Sequence, residues 1–433
     1  MPVQLLAGPD ALDVLAERLD DLHAATDCPI TARRPWLAAW VRSYRHHQPV
    51  ALVVEDPDRT LTGATLLARR RRLGLTDIVA MGHGPSDDTR LPARSGAAAE
   101  ELGEALAAFL TSLPPPWRLM LRHLPQDDPV ITALTDRLRH VVVLPGSVSP
   151  VTRFTADRNV RAYVSRNHYQ QVKRMHNRIL REGLSIDIAH LRKPGDVAAV
   201  LDEVEMLCHA RDVQKRGWST LRDTSAGPFF GQVVLDHADR GEVELTTLRL
   251  DGQLAAYVLC FRDGPACRMW SCRVAPAYLR YGAGRLANHA ALEHALSDPD
   301  CKAFDWMRGD ESYKRSMANH VEQSYDVVAW SSLMVRATTD APRWAKTLLI
   351  DSDDRHPAVR RVAPHARRLY QAGRRIRRRL ASVGHGGPGA APQEGARDGT
   401  PAADRMLIGG IRKQDLTNPT GGSSWESTPV NRG

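Results

Sequence analysis

The sequence predicts an α+β fold of two tandem halves, each a mixed, mostly antiparallel twisted sheet flanked by helices. Three observations carry that expectation. Helical and strand-like hydrophobic periods follow one another along 433 residues, more than one core usually serves. The order helices, three-stranded meander, helix, strand, helix, strand occurs twice, as element order rather than residue identity. Asp251-Gly252 and Asp263-Gly264 join strand-like runs, the strongest short-range hairpin signal.

In the first half, Leu12, Leu15, Leu19 and Leu22 give a helical stripe over residues 10–23, and Trp36, Leu37 and Trp40 give another over 34–44. Strand-like runs follow at 51–56, 61–68 and 73–81. After a loop over 82–95 come a helix at 96–110, a strand at 117–121, a helix at 130–138 and a strand at 141–144. The second half offers helices at 160–182 and 197–215, then strands at 243–250, 253–261 and 266–274. A helix at 284–296, a strand at 303–307, a short helix at 311–318 and a strand at 324–330 complete it. The expected organisation is therefore 1–148 and 149–335 as the two halves, 336–382 as a connector with an arginine-rich helix over 356–380, and 383–433 as a disordered tail.

Composition excludes several classes. Hydrophobic residues are 42% and charged residues 25%, ordinary globular values, and no apolar run approaches the roughly 20 residues that span a bilayer. The N-terminus lacks a basic flank, so a secretory signal is not expected and the chain reads as cytoplasmic. Six cysteines and seventeen histidines form no metal-binding motif, so no metal is expected and the thiols read as buried and reduced. The net charge is +9, and ten arginines fall between Arg355 and Arg379 with no acidic residue among them, which leaves −1 for everything else. A near-neutral body speaks against DNA or tRNA as the main partner. The arginine segment reads as a contact for an anionic membrane surface, which would make the protein peripheral to a membrane.

The chemistry concentrates after the third strand of the second half. Gly282-Ala283-Gly284 feeds a helix whose first N–H groups are left without intrahelical acceptors, a seat for a phosphate or pyrophosphate. The glycines permit positive φ and close approach, and Arg280 and Arg285 add charge at the rim. Glycine-x-glycine alone is also an ordinary helix-entry turn; the preceding double Asp-Gly meander favours phosphate binding.

Residues 280–284 resemble the pyrophosphate loop of the GNAT superfamily, Arg/Gln-x-x-Gly-x-Gly/Ala, with Arg280 one position too close to the glycines. The stretch from Tyr278 to Gly284 is similar to the Tyr…Ser-Pro-Gly of the CelD/BcsL group, with Gly-Ala in place of Ser-Pro. The run Phe304-Asp305-Trp306-Met307-Arg308-Gly309-Asp310-Glu311-Ser312-Tyr313-Lys314 closely resembles that group's Phe-Asp-Phe-x-Arg-Gly-x-Glu-x-Tyr-Lys. Pro35-Trp36-Leu37 with Trp40, and a basic helix ending Arg181-Glu182-Gly183, extend the likeness over about residues 30 to 330.

This resemblance implies two GNAT-like halves, with acetyl-CoA or another acyl-CoA bound in the second at Arg280, Gly282, Ala283, Gly284 and Arg285. It implies acyl transfer to a sugar, a polysaccharide precursor or a small metabolite. Such transfer needs a group to take the nucleophile's proton and another to stabilise the oxyanion. Asp310 and Glu311 are candidate bases, Tyr313 a candidate acid toward the leaving thiolate, and Lys314 a candidate electrostatic stabiliser. Tyr278, Arg174 and Arg178 are candidates for substrate binding. The same residues also fit structural roles: Asp305 pairing with Arg308 at the strand end, Tyr313 as packing, the basic helix as a solvated face. FemABX-like transfer from aminoacyl-tRNA, and a non-catalytic partner in polysaccharide assembly, are the alternatives.

Overall fold

A computed structural model describes residues 3–8 and 10–339. The arginine-rich helix and the tail expected after residue 340 lie outside the described residues.

The first half begins with strand β1 (Val3–Ala7), helices α1 (Ala11–Val14), α2 (Ala16–Ala25) and α3 (Arg34–Ser43), and a meander of β2 (Gln48–Glu55), β3 (Leu61–Arg72) and β4 (Leu75–Ala80). Then come α4 (Gly96–Ser112), β5 (Trp117–Leu124), α5 (Pro129–Arg137) and β6 (Val141–Arg153). The second half runs α6 (Arg166–Arg181), β7 (Ile186–Leu191), α7 (Pro194–Arg216), α8 (Thr220–Asp223), α9 (Ala226–Ala238) and a meander of β8 (Val243–Leu250), β9 (Gln253–Asp263) and β10 (Ala266–Val274). It ends with α10 (Ala283–Ser297), β11 (Ala303–Asp305), α11 (Ser312–Arg315) and β12 (His320–Trp330).

All twelve strands form one mixed sheet in the order β1-β2-β3-β4-β5-β12-β6-β11-β10-β9-β8-β7. Only β4–β5 and β10–β11 pair in parallel; every other pairing is antiparallel. The α+β architecture is as expected, but the sheet is continuous. β12, last in sequence, lies between β5 and β6, while β6 also pairs with β11. The boundary expected at 148/149 consequently falls inside a strand. Pro145, Gly146 and Pro150 read as breakers in sequence, yet β6 carries them through to Arg153 because β12 follows alongside with a register shift at Gln323/Tyr325.

Alternating side chains on the strands feed three cores. On β2, Ala51 and Val53 face a core made with Trp36 and Trp40 of α3 and Phe229 and Phe230 of α9, so this core draws on both halves. Val50, Leu52 and Val54 face the opposite core, under α4 and α5. The third core lies between α10, α6 and β8 to β10, around Leu286, Ala287, Leu292 and Phe304.

Four elements differ from the sequence expectation. β1 and β7 are edge strands with largely exposed residues, so neither shows a buried period. α9 carries Phe229, Phe230, Val233 and Val234 into the shared core behind a Gly-Pro pair that reads as loop. The helix expected over 160–182 is a single 3-10 turn at Val160–Ala162 followed by α6, restarted by Ser165, whose side chain accepts from the His168 N–H.

Candidate active site

The site begins where two strands part. β10 and β11 pair over only three positions, Ala266↔Ala303 to Arg268↔Asp305, after which β11 ends and β10 continues to Val274. A register shift between Met269 and Ser271 against β9 bends β10 at the same place. A cleft of about 630 Å³ opens between the free side of β10, the start of α10, the C-terminal turn of α7 and the residues around Tyr313.

The start of α10 is built to leave donors exposed. Gly282 sits at φ +68°, a left-handed conformation that reverses the chain from the 3-10 turn Pro276–Tyr281 into the helix. No side chain caps this helix, and the N–H groups of Ala283 and Gly284 donate to no group among the described residues. Both residues line the cleft. Two unpartnered N–H groups at the positive end of a 15-residue helix make an anion seat. Arg285, with Arg211 and Lys215 from α7, lines the cleft as well, and none of the three forms an ion pair among the described residues.

The two glycines have different structural reasons. A Cβ on Gly282 would meet Met175 Sδ of α6 at 2.4 Å, besides being strained by the positive φ. Gly284 has ordinary helical φ, and its missing Cβ makes room for Val274 Cγ2 at 2.4 Å. Gly284 therefore brings the helix close to β10, where the sequence suggested only room for a ligand.

Tyr313 stands on the cleft wall with its hydroxyl 3.8 Å from the Cys272 thiol, and burial, with that thiol beside it, pushes the phenol well above its ordinary value. It stays protonated at neutral pH. Glu311 precedes α11, lines the cleft, and lies 3.3 Å from the Lys314 ammonium. Lys314 itself is 5% exposed and turned inward: its Nζ donates to the carbonyls of Arg308 at 2.5 Å and Met307 at 3.4 Å. That holds the loop between β11 and α11 and keeps the ammonium off the cleft wall. Asp310 is exposed and paired with Arg315, also outside the cleft lining.

Of the other expected residues, Gly282, Ala283, Gly284 and Arg285 line the cleft, whereas Arg280, Tyr278, Arg174 and Arg178 do not. Arg280 reaches Glu182 at 3.4 Å and the hydroxyl of Tyr281. Arg178 donates to the Arg280 carbonyl at 3.2 Å and so ties α6 to the glycine turn. Arg174 bonds back to Gln170 on its own helix, and Tyr278 packs at the edge of the α10 core near Tyr281. The expected Asp305–Arg308 pair is not formed. Asp305 instead meets Arg268 at 2.6 Å, a guanidinium it shares with Asp263 and Asp88, and burial raises Asp305 to about 7. Arg308 pairs with Asp87 from the first half.

A second pocket of about 520 Å³ adjoins the cleft, and Asp212, Arg216 and Arg273 line both. Tyr44 of α3, Phe230 of α9 and Trp270 of β10 give it an aromatic wall, with the Phe230 and Trp270 rings stacked at 5.2 Å. His83, Gly84, Pro85 and Asp87, from the loop after β4, line it with Arg308. Burial and the nearby Arg122 and Arg308 lower His83 to about 4, so its imidazole is neutral at pH 7. Where the two cavities meet, the buried Tyr257 hydroxyl lies 2.8 Å from both Cys208 Sγ and Ser271 Oγ.

Sequence reading missed this second pocket because its lining comes from five segments far apart in sequence. Asp212 alone left a signal: it extends the buried stripe Val197, Leu201, Val204, Cys208 of α7 by four residues, an acidic group where the helical period calls for an apolar one. Among the described residues no group of three or more His, Cys, Asp or Glu is arranged to hold a metal ion. No described helix is long and apolar enough to cross a membrane.

Residues 166–315 match the family model described as the acetyltransferase (GNAT) domain, and every residue lining the cleft falls within that stretch. This part of the chain is thus a GNAT-type acetyltransferase domain. No curated protein matches the sequence. Similar solved structures include the C-terminal domain of a putative lysylphosphatidylglycerol synthetase from Agrobacterium fabrum, at 11% identity, covering 77% of this chain and 95% of that one with a TM-score of 0.45. FemX aligns at 10% identity over 71% of this chain and 95% of its own, TM-score 0.49. A tandem GNAT protein from the clavulanic acid biosynthesis pathway aligns at 14% identity over 76% of this chain and 99% of its own, TM-score 0.44.

Proposed function

We propose that the chain catalyses acyl-CoA-dependent N- or O-acyl transfer to a small-molecule or glycan acceptor, the acetyl group being the expected cargo. The observation that carries this reading is the cleft at the start of α10, with two unpartnered N–H groups, joined through Asp212, Arg216 and Arg273 to a separate aromatic-walled pocket. A donor and an acceptor thereby have adjoining places.

Ala283 and Gly284 would hold the donor's pyrophosphate, and Arg285, Arg211 and Lys215 supply charge around it. Bound there, the donor supplies an activated thioester. Tyr313, kept protonated by its surroundings, is the acid that meets the leaving thiolate. Asp212 is the carboxylate bordering both cavities; burial would raise it, but hydrogen bonds from Thr220 and the charges of Arg216 and Arg273 bring it below the usual range. It is ionised and placed to take the nucleophile's proton. The CelD/BcsL-like signature across residues 304–314 supports a sugar, a polysaccharide precursor or a small metabolite as the acceptor in this proposal.

One observation favours aminoacyl-tRNA as donor instead: Lys173, Arg174, Arg178 and Arg181 are exposed on α6, whose Met175 reaches the same cleft. Titration calorimetry with acetyl-CoA decides between them. Micromolar binding that Arg285→Glu weakens supports the acyl-CoA reading; no binding to acetyl-CoA, together with salt-sensitive tRNA binding, transfers the proposal to the other donor.

A further inference from the structure

Arg273 and Arg216 are guanidiniums at the meeting point of two cavities, and neither has a carboxylate within ion-pair distance among the described residues. Arg273 donates to the Cys272 carbonyl at 2.8 Å, and Arg216 to Thr220 Oγ1 at 3.2 Å, which leaves most of their N–H groups unengaged. Of the other arginines lining the second pocket, Arg308 is neutralised by Asp87, and the nearby Arg268 by three aspartates. Beside the two free cations sits one buried anion, Asp212, with Oδ2 accepting from the Thr220 N–H at 3.0 Å. Beyond them is the aromatic wall of Tyr44, Phe230 and Trp270.

We infer that the acceptor is an α-amino acid, or an amine bearing a carboxylate on the adjacent carbon, with an apolar or aromatic side chain. This rests on the acyl-CoA reading above and names the acceptor class for the same site. A planar carboxylate suits the fork of Arg273 and its neighbour Arg216, the ammonium suits Asp212, and a flat apolar body suits the ring wall. Because carboxylate and amine are borne by one carbon, anchoring the first at the junction delivers the second to the donor cleft. The ammonium gives one proton through Asp212 to solvent. Its nitrogen lone pair then forms the N–C bond to the acyl carbon as the C–S bond breaks, a second proton leaves by the same route, and the thiolate takes a proton from Tyr313 that solvent replaces. The products are the N-acyl amino acid and the free thiol.

The test uses the full chain with two readouts. Calorimetry with acetyl-CoA examines the donor reading by itself. Thiol release is then followed with phenylalanine, tryptophan and leucine, and with phenethylamine, which lacks only the carboxylate of phenylalanine. Losing the carboxylate forfeits its charge-assisted pairing with the guanidiniums, so phenylalanine should exceed phenethylamine in kcat/KM by about tenfold or more. Arg273→Gln should raise KM for phenylalanine by about tenfold or more beyond whatever it does to KM for phenethylamine. Acetyl-CoA binding combined with no turnover of any amino acid, or with equal use of acid and amine, or with equal losses in Arg273→Gln, overturns the acceptor assignment and spares the donor reading. If acetyl-CoA does not bind, the donor reading falls, and calorimetry of phenylalanine against phenethylamine with the chain alone still decides the acceptor: a preference for the acid supports it and none overturns it.

Discussion

Tyr313 and Lys314 are neighbours in sequence with opposite surroundings, and their substitutions should separate accordingly. Tyr313 faces the cleft with a phenol held protonated, so Tyr313→Phe should lower turnover by about a hundredfold with acetyl-CoA affinity nearly unchanged, as expected for loss of one acid group. Stopped-flow thiol release and calorimetry on the same preparation measure both quantities. Lys314 binds the carbonyls of Met307 and Arg308 in a buried position, so Lys314→Met leaves those acceptors unpaired at a cost of about 1–3 kcal/mol. Its thermal midpoint should fall, while turnover per folded molecule should fall less than in Tyr313→Phe; the reverse pattern would return Lys314 to the chemistry. The signature around these residues was legible in the sequence, but the direction each side chain takes was not. Alternate residues of a four-residue helix set between a cleft and a core point to different places, and periodicity over so short a run carries no information about which.

The helix α10 and strand β10 meet through Gly284, and this contact governs the cleft at the scale of elements. A methyl group at Gly284 collides with Val274 Cγ2, so Gly284→Ala should push α10 away from β10, lower the thermal midpoint and weaken acetyl-CoA binding. Gly284→Ala combined with Val274→Ala should recover most of both losses, since the second substitution removes the colliding atom. Failure of that rescue would show that Gly284 is needed for the ligand's approach itself. Elements were legible wherever burial imposes a period: both meanders, α3, α4 and the apolar face of α10 follow their hydrophobic residues. They were hidden where tertiary pairing overrides local signals. β6 passes two prolines and a glycine because β12 accompanies it, and α9 is helical behind Gly227-Pro228 because its aromatic residues fill a core shared with α3. The second pocket inherits that opacity, since α3, α9 and the loop after β4 come together only through this core.

Across the whole molecule, protons couple to stability through buried histidines. Burial is the largest cause lowering His23, His47, His83 and His168 to about 4 and His123 to about 3, from the ordinary 6.5. Between pH 6.5 and 4 the unfolded chain binds protons at these five sites that the folded chain refuses, so their contribution is present above 6.5 and is lost on acidification. Burial raises Asp305 to about 7 and Asp128 to about 6, which acts in the other direction, adding stability that is complete below the ordinary 3.8 and lost as pH rises through those values. Five groups outweigh two, and the denaturant midpoint should fall steadily from pH 6.5 to pH 4.5. A midpoint that is flat over that interval would mean the imidazoles are reached by water.

The position of β12 has a consequence for how the protein can be made. A ribosome delivers β5 and β6 early, yet the strand that fills the gap between them is finished only at Trp330. Throughout that interval both strands keep an open hydrogen-bonding edge, the arrangement that invites pairing with another chain. The pocket assembled from Tyr44, Trp270 and Arg308 is likewise incomplete until synthesis has passed residue 308. A nascent chain halted between α10 and β12 therefore carries a finished glycine turn but an unsealed sheet, and its solubility during translation depends on whatever shields those two edges before the final strand arrives.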